Sequence, residues 1–277
     1  MHTLLYERIG SVGWLKLNRP DRLNAMTVEM WTELAKLGSE LRDDPEIRCL
    51  VVTGEGRAFS SGIDVGALLG SAAGENSIFA EAGSGNAPPA QGEDPLVAGI
   101  LEIQEAYSWL AEAPYPTVAA VRGYALGGGL QLALACDLRI VARGTKLGLL
   151  EHRYGILPDL GGTFWLPRVV GPAKAKELIM TSETIDADEA LRIGLANRVV
   201  DDPDLEEAAR ALAETLALAP PIAVRGAKRA IDAAATQSLR ENLREAAVGQ
   251  AACIRSSDFV EAIRAAGERR PGKYHNR

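Results

Sequence analysis

Residues 124–142 read YALGGGLQLALACDLRIVA and place three consecutive glycines, Gly127 to Gly129, in front of an apolar segment. The segment from about Gly129 to Cys136 has the apolar spacing of a helix, and DLRIVA at its end is typical of a strand. Before the glycines, PTVAAVRG at residues 116–123 predicts another buried strand. These elements follow one another as strand, glycine turn, helix and strand. We therefore predict that the glycines form the connection between a strand and the following helix.

The same alternation extends towards the amino terminus. IRCLVVTG at residues 47–54 is a short β-branched run, as in a strand buried on both faces, and GWLKLNRP at 13–20 predicts a strand that ends at Pro20. Between them, TVEMWTELAKLGSELR predicts a helix with Thr27 as its N-cap and with Met30 and Leu34 on one face. Strands that alternate with helices imply parallel pairing and right-handed crossovers, so we expect an α/β fold.

The two remaining regions differ from this pattern. Residues 68–95 are rich in Gly, Ala, Ser and Pro, which predicts either a flexible flap beside a pocket or plain disorder. Beyond Pro172 the chain reads as successive amphipathic helices. We therefore expect a core over residues 1–200 and a helical C-terminal region over 201–277 that packs against other subunits.

Composition excludes several classes of protein. The 277 residues carry a formal charge of −7, which argues against a nucleic acid or a membrane surface as a partner. The three cysteines, Cys49, Cys136 and Cys253, lie far apart in apolar surroundings and are expected to be buried free thiols in a reducing compartment. With no signal-like start and no long apolar run, we expect a cytoplasmic protein. The three histidines share no ligand spacing, so no metal site is predicted.

Known glycine motifs fit this sequence poorly. A P-loop needs Lys followed by Ser or Thr, whereas Gly129 is followed by Leu and Gln. GEGRAF at residues 54–59 has Phe59 where a dinucleotide-binding fingerprint needs its third glycine. A nucleophile elbow at Ser60 or Ser61, with His152 as its base, lacks the first glycine of that motif.

Two segments of the sequence share another pattern. Each has an apolar strand followed by a turn of small residues, at Ser61–Gly62 and at Gly127–Gly129, where a ligand can approach main-chain N–H groups. The second turn also opens a helix, whose first N–H groups lack partners within the helix. Two such groups that point at one place would form an oxyanion hole. The alternative is that the glycines only permit close packing of the helix on the sheet.

Four blocks in order and spacing resemble the enoyl-CoA hydratase/isomerase, or crotonase, family: WLKLNRPDRLNAM, GEGRAFSSGIDV, AAVRGYALGGGLQLALACDLRIVA and YGILPDLGGTFWLPRVVG. The resemblance spans roughly Leu4 to Tyr274. It implies a crotonase-like ββα spiral core with a helical C-terminal region, a homotrimer or a dimer of trimers, and an acyl-CoA substrate without a permanently bound cofactor. By position in the blocks, it implies that the amides of Ser61 and Gly128 hold the thioester oxygen.

The resemblance also indicates the acid/base groups. Hydratases of the family use two glutamates, and these positions are Gln131 and Glu151 here. Gln131 can hydrogen-bond a substrate or a water but cannot ionise, so full hydratase activity is in doubt. Asp159 stands where dienoyl-CoA isomerases of the family have a catalytic aspartate, although it could instead cap the turn at Gly161–Gly162.

Coenzyme A contacts are implied in the same way. Arg22 and Lys273 resemble family residues near the nucleotide, Lys273 serving a neighbouring subunit, or both are ordinary surface cations. The family lays adenine and pantetheine against the main chain of one segment, here Ala58, Ser60, Ser61, Gly62, Ile63 and Asp64.

The sequence thus favours double-bond isomerisation of an enoyl-CoA, with Glu151 as the proton shuttle and Asp159 assisting, because allylic isomerisation needs one base. Three alternatives stay open: weak hydration with Gln131 orienting water, a non-catalytic acyl-CoA binding protein, and a thioester hydrolase.

Overall fold

The computed structural model describes residues 2–64, 66 and 94–276. Residues 68–93 of the flap predicted at 68–95 lie outside this part. Asp94 and Pro95, its last two residues, belong to a helix instead: Asp94 is the N-cap, and its side chain accepts a hydrogen bond from the amide of Leu96.

Within the described residues the strands are, in chain order, β1 (Leu4–Ile9), β2 (Val12–Leu17), β3 (Cys49–Gly54), β4 (Thr117–Val121), β5 (Tyr124–Leu126), β6 (Leu138–Ala142), β7 (Lys146–Gly148), β8 (Ile185–Asp186) and β9 (Arg198–Val200). The helices are α1 (Val28–Leu41), α2 (Pro95–Glu112), α3 (Gly128–Ala135), α4 (Gly162–Val170), α5 (Pro172–Thr181), α6 (Ala187–Arg192), α7 (Leu205–Leu218), α8 (Pro221–Ala233), α9 (Leu239–Arg255) and α10 (Ser257–Glu268).

The larger sheet has the strand order β1-β2-β3-β4-β6-β9. Every neighbouring pair in it is parallel except β1 and β2, which are antiparallel. The predicted α/β class and parallel pairing are confirmed. A smaller sheet, β5-β7-β8, was not predicted from the sequence, because strands of two or three residues are too short to show a periodic pattern.

Both faces of the larger sheet are buried at its centre, as β3 illustrates. Its side chains alternate, so that Leu50 and Val52 pack in one cluster together with residues of α1 and α2. Cys49 and Val51 pack in a second cluster on the opposite face, together with the small side chains of α7 at Ala209 and Ala213. The continuous apolar run of this strand is thereby explained.

Helix α1 agrees with its prediction in detail. Thr27 is the N-cap and its side chain accepts a hydrogen bond from the amide of Met30. Met30 and Leu34 are fully buried. The Pro20 that ends the preceding strand pattern begins a short 3-10 turn, Pro20–Arg22.

Helices α8 to α10 follow the core and carry a row of exposed apolar side chains. Lys228 of α8 links this region to the core by an ion pair. Its Nζ lies 2.8 Å from Oδ2 of Asp137, the residue before β6. Among the described helices, none is long and apolar enough to cross a membrane. The large apolar side chains that α8 to α10 leave exposed include Ile231, Leu239, Leu243, Val248, Ile254 and Ile263.

Candidate active site

The two glycine turns of the sequence are in direct contact. The amide of Leu126 donates to the carbonyl of Ser60 at 3.0 Å, which joins the end of β5 to the turn after β3. Gly62 has φ +93°, and a Cβ there would lie 2.6 Å from the Leu126 carbonyl oxygen and 3.5 Å from the Gly128 amide nitrogen. Only glycine fits at position 62, since both the backbone angle and the space exclude a side chain.

The two predicted oxyanion donors differ in whether their amides are free. The amide of Ser61 donates to the carbonyl of Leu23 at 2.9 Å, so it is not available to a ligand, and its assignment as a donor is wrong. Leu23 has φ +51° and aims its carbonyl at Ser61, a reversal that the sequence did not reveal. In the described part of the chain, the amides of Gly128 and Ile63 have no acceptor. Ile63, directly after Gly62, thus has a free amide that the sequence analysis did not single out.

Gln131 and Glu151 meet in the interior behind these turns. Glu151 opens a 3-10 turn, Glu151–Tyr154, and is only 5% exposed. The side-chain Nε2 of Gln131 donates to Glu151 Oε1 at 2.7 Å, and Gln131 Oε1 accepts from the amide of Gly162 at 2.9 Å. The second carboxylate oxygen, Glu151 Oε2, is buried without a hydrogen-bond partner among the described residues. An unsatisfied buried carboxylate oxygen is rare unless a ligand or a function uses it.

The two carboxylates have perturbed acidity. Burial raises the pKa of Glu151 to about 7, against the lowering effects of its own amide and of Gln131, and the Asp159 charge raises it further. Burial also raises the pKa of Asp159. Gln104 Nε2 donates to the Asp159 carbonyl at 2.9 Å and holds its main chain. The N-cap of α4 is Gly161 with no side-chain cap, so the alternative role of Asp159 in capping this turn finds no hydrogen bond. Perturbed pKa values of this kind mark candidate acid/base groups.

The segment from Ala58 to Asp64 is held by the loop after β2. Asn24 Nδ2 donates to the Ala58 carbonyl at 2.8 Å, and Ser60 Oγ donates to the Asn24 carbonyl at 2.8 Å. The Asp64 carboxylate pairs with Arg19 at 3.2 Å and is therefore committed within the protein. Arg19 was not singled out from the sequence, since nothing local to NRPDRLN distinguishes it from Arg22.

The two predicted phosphate contacts lie apart in this chain. Arg22 is exposed and precedes Leu23, which bonds the Ser61 amide, so it lies beside the predicted CoA segment. Lys273 precedes Tyr274, whose carbonyl accepts from Arg48 Nη2 at 2.7 Å. Arg48 precedes the first residue of β3, whereas the predicted CoA segment from Ala58 to Asp64 follows the last residue of β3. Lys273 is thus at the opposite edge of the sheet from Arg22.

Other candidate chemistry finds no support. Ser60 Oγ is buried between the Asn24 carbonyl and the Gly62 amide, while His152 is exposed, so a nucleophile elbow is excluded at Ser60. No helix follows GEGRAF within residues 55–64, unlike a dinucleotide-binding turn. In the part of the chain that the structure describes, no group of three or more metal-ligand side chains is present.

Comparison with known proteins identifies the family. The family model described as enoyl-CoA hydratase/isomerase matches residues 7–277. The Mycobacterium tuberculosis protein named "Probable enoyl-CoA hydratase echA8" is 39% identical over 241 residues, which cover 87% of this chain and 85% of that one.

Solved structures share the fold. The enoyl-CoA hydratase of Bacillus anthracis superposes with a TM-score of 0.87 at 33% identity, covering 99% of this chain and 100% of that one. A Thermobifida fusca protein in complex with acetoacetyl-CoA gives a TM-score of 0.79 at 37% identity, covering 91% and 95%. The predicted crotonase fold with its helical C-terminal region is thereby confirmed. The chain belongs to the enoyl-CoA hydratase/isomerase family and is an enzyme of CoA thioesters.

Proposed function

We propose that this enzyme moves the double bond of an enoyl-CoA, with Glu151 as the base and with the amides of Gly128 and Ile63 as the oxyanion hole. The observation that carries the proposal is the Glu151 carboxylate: one oxygen is bound by Gln131 at 2.7 Å, and the other is buried and unpartnered among the described residues. A carboxylate held in this way presents a single oxygen to a substrate.

The reaction balances with one shuttling proton. Glu151 Oε2 takes the C2 proton of a 3-enoyl-CoA, and the electron pair of that C–H bond forms a dienolate whose negative charge lies on the thioester oxygen. The two amides stabilise this charge by hydrogen bonds. The same Glu151 then returns the proton to C4, so the product is the 2-enoyl-CoA. A pKa of about 7 suits both halves of this exchange at neutral pH.

Gln131 is the residue that favours isomerisation over hydration in this proposal. Hydration adds a proton and a hydroxyl group, and an amide cannot take or give a proton in that exchange. Gln131 is moreover occupied on both sides, by Glu151 and by the amide of Gly162. Asp159 supplies a second ionisable group, and its charge raises the pKa of Glu151. We assign it an assisting role.

Hydration is the second candidate function, and the relatives favour it. The Mycobacterium tuberculosis and Bacillus anthracis proteins are both named enoyl-CoA hydratases. In that case Gln131, which keeps a second Nε2 hydrogen, would orient the water and Glu151 would deprotonate it.

One comparison separates the two reactions. Purified enzyme is incubated with 3-hexenoyl-CoA and, separately, with crotonyl-CoA, and the products are quantified by chromatography. We expect conversion of 3-hexenoyl-CoA into its 2-enoyl isomer to be the faster reaction. Faster hydration of crotonyl-CoA would reverse the assignment, and failure to convert either thioester would favour a non-catalytic binding protein.

The binding of CoA and the assembly of subunits complete the proposal. Arg22 would meet the nucleotide phosphates, and the main chain from Ala58 to Asp64 would hold adenine and pantetheine. Lys273, at the far edge of its own sheet, would serve the site of another copy. The exposed apolar row on α8 to α10 supports association through residues 201–277 into a trimer or a dimer of trimers.

A further inference from the structure

Helix α2 places a tyrosine hydroxyl, which the mechanism above does not use, beside the glycine turn. Tyr107 is fully buried. Trp31 Nε1 donates to its hydroxyl oxygen at 3.2 Å, and that oxygen lies 2.7 Å from Met26 Sδ, the acceptor for its proton. Both neighbours come from the loop and helix that follow β2.

The Tyr107 hydroxyl borders the space that a side chain at position 128 would fill. A Cβ at position 128 would lie 3.2 Å from Tyr107 Oη, 3.4 Å from Met26 Sδ and 3.7 Å from Ile63 Cγ1. The residues that carry the two free amides and the tyrosine hydroxyl therefore surround one point. A ligand oxygen held by the Gly128 amide would lie next to Tyr107.

The protonation state of Tyr107 keeps its hydroxyl available as a hydrogen-bond donor. Burial raises its pKa, and the charges of Asp159 and Glu151 raise it further, against the lowering effect of Trp31. The hydroxyl therefore keeps its proton over the whole range in which Glu151 titrates.

The present acceptor of this proton is weak. A thioether sulfur is a poor hydrogen-bond acceptor, so the O–H group loses little when it turns to an oxygen. The indole N–H of Trp31 already occupies the hydroxyl oxygen, and a hydroxyl that accepts one hydrogen bond becomes a stronger donor. Tyr107 is thus a fixed and polarised donor.

We propose that Tyr107 is a specificity-determining residue that donates its hydrogen bond to an oxygen of the bound acyl group. This inference rests on the proposed acyl-CoA function of the site. The acceptor is either the thioester oxygen or an oxygen carried on C3, and both share the chemistry of a carbonyl or hydroxyl acceptor within reach of Gly128.

The test is calorimetric titration of wild-type and Tyr107→Phe enzyme with butyryl-CoA and acetoacetyl-CoA. We expect the substitution to weaken binding roughly tenfold, the typical loss for one hydrogen bond at a buried site. Equal weakening of both ligands assigns the thioester oxygen, and weakening of acetoacetyl-CoA alone assigns the C3 oxygen. Unchanged dissociation constants for both ligands overturn the inference.

Tyr115→Phe is the matched control. The Tyr115 ring is equally buried, and its hydroxyl donates to the Leu41 carbonyl at 2.9 Å. Tyr107→Phe loses two buried hydrogen bonds, from Trp31 and to Met26, and Tyr115→Phe loses one. Both variants are expected to lower the unfolding temperature, with loss of affinity only for Tyr107→Phe. Equal loss of affinity in both variants would mean a structural role and overturn the inference. Failure of the wild-type enzyme to bind either thioester would instead overturn the proposed function on which it rests.

Discussion

Gln131 Nε2 lies 2.7 Å from Glu151 Oε1. The buried carboxylate is therefore held by an amide group, which cannot act as an acid or a base. The direction of the amide is fixed at its other end, because the amide of Gly162 must donate to an oxygen, at 2.9 Å. The N-terminus of α4 thus orients Gln131, and Gln131 orients Glu151. Among the described residues, only Oε2 of this carboxylate is left without a hydrogen-bond partner.

Glu151→Gln is expected to abolish turnover while binding is kept. Removal of a general base costs roughly a hundred- to ten-thousand-fold in rate, and the glutamine can still accept the hydrogen bond of Gln131. The measurement is kcat on 3-hexenoyl-CoA together with the dissociation constant for butyryl-CoA. Glu207→Gln, on the exposed face of α7, is the control and should retain full activity. Activity retained in Glu151→Gln would exclude this residue as the base.

The same substitution should stabilise the protein at high pH. The folded-state pKa of Glu151, about 7, lies above the ordinary value of 4.5, so between these values the folded protein holds a proton that the unfolded chain has lost. Stability therefore falls as pH rises through this window, by a few kcal/mol at most. Unfolding temperatures of wild-type and Glu151→Gln enzyme should converge near pH 4.5 and separate at pH 8, with the variant more stable. Parallel curves would show that burial does not raise the pKa of Glu151.

Removal of the Gln131 contact should shift the pH dependence of catalysis. The hydrogen bond from Gln131 lowers the pKa of Glu151, so Gln131→Leu should raise it. The rising limb of kcat/KM against pH, expected near pH 7 in the wild-type enzyme, should move to higher pH. An unmoved limb in the variant would mean that another group controls the profile.

The sequence predicted strands β2, β3, β4 and β6, helix α1 and the glycine turn because each is a local pattern. β3 and the Thr27 cap both depend on residues adjacent in the chain. The resemblance to the family indicated the positions of Gln131 and Glu151. Their hydrogen bond is a finding of the structure, because it depends on tertiary packing.

The amides that are free beside the glycine turns could not be predicted in the same way. Whether the amide of Ser61 or of Ile63 is free depends on the Leu23 carbonyl, which comes from a separate loop with a left-handed residue. The distance of Lys273 from Arg22 and the approach of Tyr107 to Gly128 depend equally on tertiary packing. Periodicity carries no information on such contacts.

Gln131→Glu should add hydration to the activity of the enzyme. The new carboxyl would lie beside Glu151, where two like charges cannot both ionise easily, so one of them would hold a proton at neutral pH. An acid and a base together can split water across a double bond. The ratio of crotonyl-CoA hydration to 3-hexenoyl-CoA isomerisation should rise by an order of magnitude or more, because one acid/base group contributes roughly that much or more. An unchanged ratio would indicate that Gln131 does not limit hydration.

Gly128→Ala tests whether the glycine turn serves a ligand or only packing. The variant keeps its amide, but the new methyl group would lie 3.2 Å from Tyr107 Oη, in the space assigned to the thioester oxygen. We expect a loss in kcat/KM of roughly a hundredfold, comparable to the loss of one oxyanion donor. Gly226→Ala in α8 is the matched control: its methyl group would make an ordinary contact of 3.9 Å, and alanine stabilises a helix interior by roughly 0.5–1 kcal/mol. If Gly128→Ala lost stability but bound and turned over thioesters normally, the turn would be a packing device and the oxyanion hole would lie elsewhere.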